Sequence, residues 1–257
     1  MPYDSGSVIH TSTRVSRRSF IGSLAGLGAL ATLKPTLAQI ATPANQSEGD
    51  ADALEVLKAA GSNVLALDTF TFSLETIAGK STVFPGVELV SVEGAVRRPI
   101  DLSATLNVKA LTQTMEIGAV SVDGEFYVHD PLSGGAWQNL GSAPEISSMI
   151  NPDWMVMAAV NLIQDAAITS QKDDVTLVEG YINLSDSMGA IEGADLEQIK
   201  QFLASGPVDV AFWIDKENRI SRAELYGPFF ASESADVEKR IEFGGFNEPV
   251  DIEKPAL

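Results

Sequence analysis

Leu102-Ser103-Ala104-Thr105-Leu106-Asn107-Val108-Lys109-Ala110, followed by residues 115–122, Asp123-Gly124 and residues 125–129, is the stretch that decides the fold. In its first nine residues apolar and polar side chains alternate without a fault. A period of two puts every second side chain on one face of a strand. The pattern resumes at Met115, and Asp-Gly between two such runs marks a tight hairpin. Three strands in close succession with short turns make an antiparallel meander.

The pattern extends in both directions from there. Upstream, Phe70, Phe72 and Leu74 alternate with Thr71, Ser73 and Glu75, and residues 88–96 carry Val90, Val92 and Val96 on one side. Residues 52–67 show helical spacing, with Leu54, Leu57, Val64 and Leu65 apolar and Asp50 as a candidate cap. Downstream, strands are expected over 175–184, 208–214 and 219–226, and at Val237, Ile241 and Phe243. Asn151-Pro152-Asp153 reads as a helix start. The run 154–163 behind it is apolar on nearly every side, so that helix should be enclosed by protein. A further short helix is expected over 194–203. The sum is about eight strands and about three helices, an α+β chain in which a long antiparallel sheet buries one apolar face. Curled around the helices, it would form a half-open barrel with an apolar cavity.

The N-terminus carries a different message. Residues 1–19 hold Arg14, Arg17 and Arg18 against one acid, Asp4; residues 20–33 are apolar or small and uncharged; Thr36 and Ala38 then suit a signal peptidase. The apolar run, about 14 residues, is short for a ~30 Å hydrocarbon core. Arg17-Arg18 followed by Phe20 and Ile21 resembles the twin-arginine export motif. The expected organisation is therefore a twin-arginine signal over 1–38, a polar linker over 39–50 and one domain over 51–257, acting outside the cytoplasmic membrane.

Loss of 1–38 removes four of 17 bases and one of 35 acids. The remaining 219 residues carry 13 bases and 34 acids, a net charge of −21. Such a surface repels nucleic acid and anionic headgroups. There is no cysteine, which excludes disulfides, thiolate metal sites, iron–sulfur clusters and a cysteine nucleophile. Histidine is confined to His10, in the leader, and His129, at a hairpin end, so no transition-metal site and no cofactor is expected. No nucleophile elbow, Walker A loop, dinucleotide fingerprint or calcium loop is present in the domain. Asp173-Asp174 reads as a solvated turn. No catalytic residue is assigned and the chain reads as a non-enzyme.

The aromatic and aliphatic residues read first as core. Together with Met149, Met155, Met157 and Met188, they also suit a pliable wall around a greasy cavity.

Several stretches in order carry a family resemblance: residues 122–127 (Val-Asp-Gly-Glu-Phe-Tyr) with Trp137 and Gly141; Ile150-Asn151-Pro152-Asp153; residues 208–225 with Phe212-Trp213-Ile214; and residues 246–252 with Lys254-Pro255. The chain resembles the LppX/LprAFG family of cell-envelope lipoproteins, whose half-barrel is that of the LolA/LolB carriers. The resemblance covers about residues 51–255. It implies a non-catalytic monomer that holds acylated lipids or lipoglycans in an apolar cavity, and a membrane transporter or envelope protein as a further partner. It implies cavity positions at Phe72, Val92, Leu106, Val108, Phe126, Val128, Met155, Ala159, Leu162 and Phe212. Members of the family usually begin at a lipidated cysteine, which this chain lacks, so a shuttling carrier is expected rather than a tethered one. Two other readings remain open: a filled-core module that binds an envelope protein or wall polymer, and a secreted hydrolase using a carboxylate pair.

Overall fold

The computed structural model describes residues 51–84, 86–99, 101–110, 112–129, 131, 134–142, 160–183, 204 and 206–257. The export signal, the linker, the helix expected from Asn151 through Ala159 and the helix expected over 194–203 lie outside them. So do Met149, Met155, Met157, Ala159 and Met188.

Among the described residues helix α1 (Ala51–Leu65) precedes twelve strands: β1 (Thr69–Ala78), β2 (Ser81–Phe84), β3 (Val87–Arg97), β4 (Asp101–Ala110), β5 (Gln113–Val122), β6 (Glu125–His129), β7 (Trp137–Asn139), β8 (Ile163–Lys172), β9 (Val175–Asn183), β10 (Pro207–Ile214), β11 (Ile220–Tyr226) and β12 (Glu238–Gly244). All pair antiparallel in one open, curved sheet of order β7-β6-β5-β4-β3-β1-β12-β11-β10-β9-β8, with β2 pairing β3 beyond the end of β1. The chain builds one wing from β1 to β7 and the other from β8 to β12, and β12 returns to close on β1.

Local chemistry explains the turns. Asp123 and Gly124 take φ of 54° and 76°, the double left-handed turn whose twist matches that of the strands, and they set Val122 opposite Glu125. Asp173 and Asp174, at φ 53° and 62°, do the same between Lys172 and Val175. They form an exposed turn, as the sequence suggests.

The alternation seen in the sequence becomes two faces. On one face lies the core: α1 sets Ala53, Leu57, Ala60 and Val64 against the wing of β8–β11. The Arg98 guanidinium donates to the carbonyls of Val64 and Leu67, satisfying the end of the helix, and lies 5.8 Å over the ring of Phe70. The opposite face is mostly polar. It holds one smaller apolar cluster, Val120, Val122, Tyr127 and Ile252, with Ala95, Trp137 and Val250 against it.

Four strands differ from the sequence expectation. In β3 a bulge between Leu89 and Ser91 buries Leu89 and leaves Val90 exposed, so Val90 does not share the side of Val92 and Val96. The apolar helical run was expected to include Ile163; instead, the helical turn 160–162 ends there and Ile163 opens β8. Bulges between Gln164 and Ala167 and between Ile168 and Ser170 break the alternation of β8, with Asp165 at φ 49°. β2 and β7 have four and three residues, too few for a period to register.

Candidate functional site

Cross-strand partners share a face, so the pairing register shows which side chains line the core side. One row runs through nine strands: Ile168, Val178, Phe212, Ala223, Ile241, Leu74, Val92, Leu106 and Ile117. The next row, Phe72, Gly94, Ala104, Ala119 and Val128, lies beside it on the first wing. Leu89, Val108 and Met115 make a third.

Burial varies along the long row. Its middle, Val178, Phe212, Ala223, Ile241 and Leu74, is buried, and Ile168 at the β8 end is half-buried. Val92, Leu106 and Ile117, continuing the same row across β3, β4 and β5, are only half-buried. Phe72 and Val128 in the neighbouring row are half-buried too. The ring of Phe72 lies over Gly94, where a Cβ would sit 2.5 Å from the ring's Cζ. A side chain at Gly94 would therefore displace Phe72.

The residues singled out from sequence fall on this face as far as they are described. Phe72, Val92, Leu106 and Val128 are half-buried on it. Val108 and Phe126 are buried on it. Phe212 is wholly enclosed on the α1-covered wing, and Leu162 packs half-buried against the same cluster. Met155 and Ala159 lie outside the described residues. Leu74 shares the face of Phe72 by the alternation of β1, while Met115 and Ile117 are aligned with Val108 and Leu106 through register.

Sequence reasoning missed one polar group there. Lys239 pairs with Leu225 and Thr76 on the core side and is 1% exposed. Its ammonium donates to Glu233 Oε1, which also accepts from Ser81 Oγ at 2.8 Å. Glu233 Oε2 accepts from the backbone N–H groups of Phe229 and Phe230 at 2.9 and 3.2 Å. Burial pushes the Lys239 ammonium down to about 8 against the pull of Glu233. The signal was available: Val237, Lys239, Ile241 and Phe243 share one parity, and a lone lysine in an apolar register needs a partner.

Little else on the surface suggests chemistry. Among the described residues no three His, Cys, Asp or Glu side chains gather as a metal site. His129 Nε2 lies 2.9 Å from the Gly135 carbonyl, with its ring 5.5 Å from that of Trp137. Among the described residues no helix is long and apolar enough to cross a membrane. An open crevice lies between Val56 of α1 and the β8–β9 and β10–β11 turns, with Asp173, Asp174 and Asp215 on its rim, and Asp215 is paired with Arg219 at 2.7 Å.

Comparison with known proteins bears on this face. The family model described as LppX_LprAFG lipoprotein matches residues 50–252. No curated protein matches the chain by sequence. Among solved structures, the lipoprotein LppX of Mycobacterium tuberculosis superposes with a TM-score of 0.54 at 17% identity, covering 80% of this chain and all of the other. LprF of Mycobacterium bovis gives 0.53 at 16% identity, covering 82% and 100%. At these identities the likeness is one of fold.

Proposed function

This chain belongs to the LppX_LprAFG lipoprotein family, and from that premise we propose that it binds and carries acylated lipids or lipoglycans on the core face of its sheet, at the cell envelope and without catalysis. The observation that carries this reading is the division of the nine-strand row. From β9 to β1 the row is filled; across β3–β5 it continues as Val92, Leu106 and Ile117, apolar and half-buried. An apolar surface of that kind, walled by Phe72, Val108, Phe126 and Val128, favours acyl chains at about 0.8 kcal/mol per buried methylene. Phe212 lies deeper, as the floor on which the covered wing rests. Release then requires a membrane, transporter or envelope protein that offers equal burial. The N-terminal Arg17-Arg18 signal, cut after Ala38, would deliver a folded monomer to that compartment.

Native mass spectrometry of the mature protein purified from its own host tests this. The expected result is a stoichiometric mass excess that extracts into organic solvent as acylated lipid. A bare polypeptide mass, with no uptake of added lipid, would replace the carrier by a filled-core module that binds an envelope protein or wall polymer.

A further inference from the structure

After β12 the chain does not leave the sheet but crosses its outer face. Asn247 N donates to the Thr69 carbonyl at 2.8 Å, and Asn247 Oδ1 accepts from Asp68 N at 2.8 Å. Thr69 Oγ1 donates to the Glu248 carbonyl at 2.6 Å. The segment is thus pinned to the start of β1. Beyond it, Val250 and Ile252 pack on Val120, Val122 and Tyr127 of β5 and β6, and Ile252 is 3% exposed although no strand contains it. Arg97 Nη2 donates to the Ile252 carbonyl at 3.0 Å. Lys254 Nζ donates to Glu125 Oε2 at 2.6 Å and lies 5.3 Å over the Tyr127 ring. The Tyr127 hydroxyl donates to the same carboxylate. Residues 247–254 therefore tie the start of β1 to β6 across β3, β4 and β5.

Apart from this segment, β6 is held by its ladder to β5 and by backbone hydrogen bonds of Phe126 with Leu140 and Gly141. It is five residues long, and beyond it, among the described residues, lies β7, three residues at the end of the strand order. Short edge strands open at low cost. The side chains of β6 alternate: Tyr127 faces the C-terminal segment, while Phe126 and Val128 face the core side. One strand is thus fastened on its outer side and forms part of the candidate cargo wall on its inner side.

We propose that residues 247–254 are a belt that governs peeling of the β6–β7 edge, and with it the lateral opening of the half-buried wing. Ile252 is the buckle, because it alone in the segment is fully desolvated against the sheet. The Lys254–Glu125 pair is exposed, so it aligns the belt more than it fastens it. The part of the proposal that concerns cargo rests on the carrier reading. The part that concerns the edge does not.

The test compares the mature chain with two variants, one lacking residues 251–257 and one carrying Ile252→Ser; Lys254→Ala, which keeps the buckle, is a milder third. Hydrogen–deuterium exchange is followed on unloaded protein. Exchange in residues 120–129 should quicken about tenfold or more in the first two variants, with β9–β11 unchanged, because only local opening is made easier. Lys254→Ala should move it far less. Preloaded fluorescent fatty acid should leave the first two variants faster in the same order. Unchanged exchange in β6, or equal loss of protection in every strand, overturns the belt; quicker exchange with unchanged release overturns its role as a gate. A chain that takes up no fatty acid sinks the carrier reading, and the exchange data still decide whether the belt holds the edge.

Discussion

A buried charge on an apolar face has to be answered by its immediate neighbours, and Lys239 shows how completely. Its partner Glu233 collects four donors, two of them backbone N–H groups from the loop that carries Phe229 into the core. Removing one member leaves the other buried and uncompensated, which costs about 3–5 kcal/mol, whereas removing both leaves only packing to repair. Lys239→Met should therefore lower unfolding free energy by about that amount in denaturant titration, and adding Glu233→Gln should recover a substantial part. Equal losses in the single and double variants would mean that the pair does not act as a unit. Glu125 is the exposed counterpart. The hydrogen bond from Lys254, and then that from Tyr127, hold its carboxyl down to about 2. The unfolded chain titrates near the ordinary value of about 4.3. The contribution of Glu125 is therefore fully present above about pH 4.5 and is lost as pH falls through 2. The melting-temperature gap between the native chain and Glu125→Gln should close over that window. A gap that ignores pH would separate the belt's alignment from this carboxylate.

Elements were legible in the sequence where each residue's choice agreed with its neighbours'. β4 and β10 alternate along their length, as β1 does up to Thr76, and the Asp123-Gly124 turn names its own conformation, so these stretches could be read residue by residue. β8 could not: its two bulges shift parity twice within ten residues, and its opening Ile163 continues an apolar helical run. The C-terminal belt has no period, so the burial of Ile252 follows only from where the outer faces of β5 and β6 come to lie. Register was the larger loss, because Leu106 meets Val92 and Ile117 through loop geometry that no strand encodes alone. The helix was legible on both counts, and its energetics are predictable. Leu57 is wholly buried against the covered wing, whereas Lys58 beside it is exposed. Leu57→Ala should cost about 2–5 kcal/mol in thermal or chemical unfolding, while Lys58→Ala should stay within about 0.5. If both changes were neutral, α1 would not be part of the folded core.

Among the described residues one apolar row crosses nine strands, filled from β9 to β1 and half-buried across β3, β4 and β5. A filled core and a carrier differ in what the half-buried wing does, and the sheet's period of two offers a controlled way to ask. Leu106 lies on the core side of β4 between Val92 and Ile117; Thr105, one residue earlier, pairs with Glu93 and Gly118 on the outer face. A tryptophan at either position places the same side chain on the same strand. If acyl chains occupy the wing, Leu106→Trp fills space that cargo needs, and lipid recovered from the purified variant should fall several-fold while the melting temperature changes little. Thr105→Trp should keep its full complement of lipid. In a tightly packed core the order reverses: the indole at Leu106 would be overpacked at a cost of about 1–3 kcal/mol, visible as a drop in melting temperature, with no lipid to lose. Phe212→Ala calibrates the comparison, since Phe212 is enclosed on the α1-covered wing and its truncation should destabilise by about 3–5 kcal/mol whether or not cargo is present. A Leu106→Trp protein that keeps its lipid would remove this wing from the binding site, because no acyl chain can share the space that the indole takes.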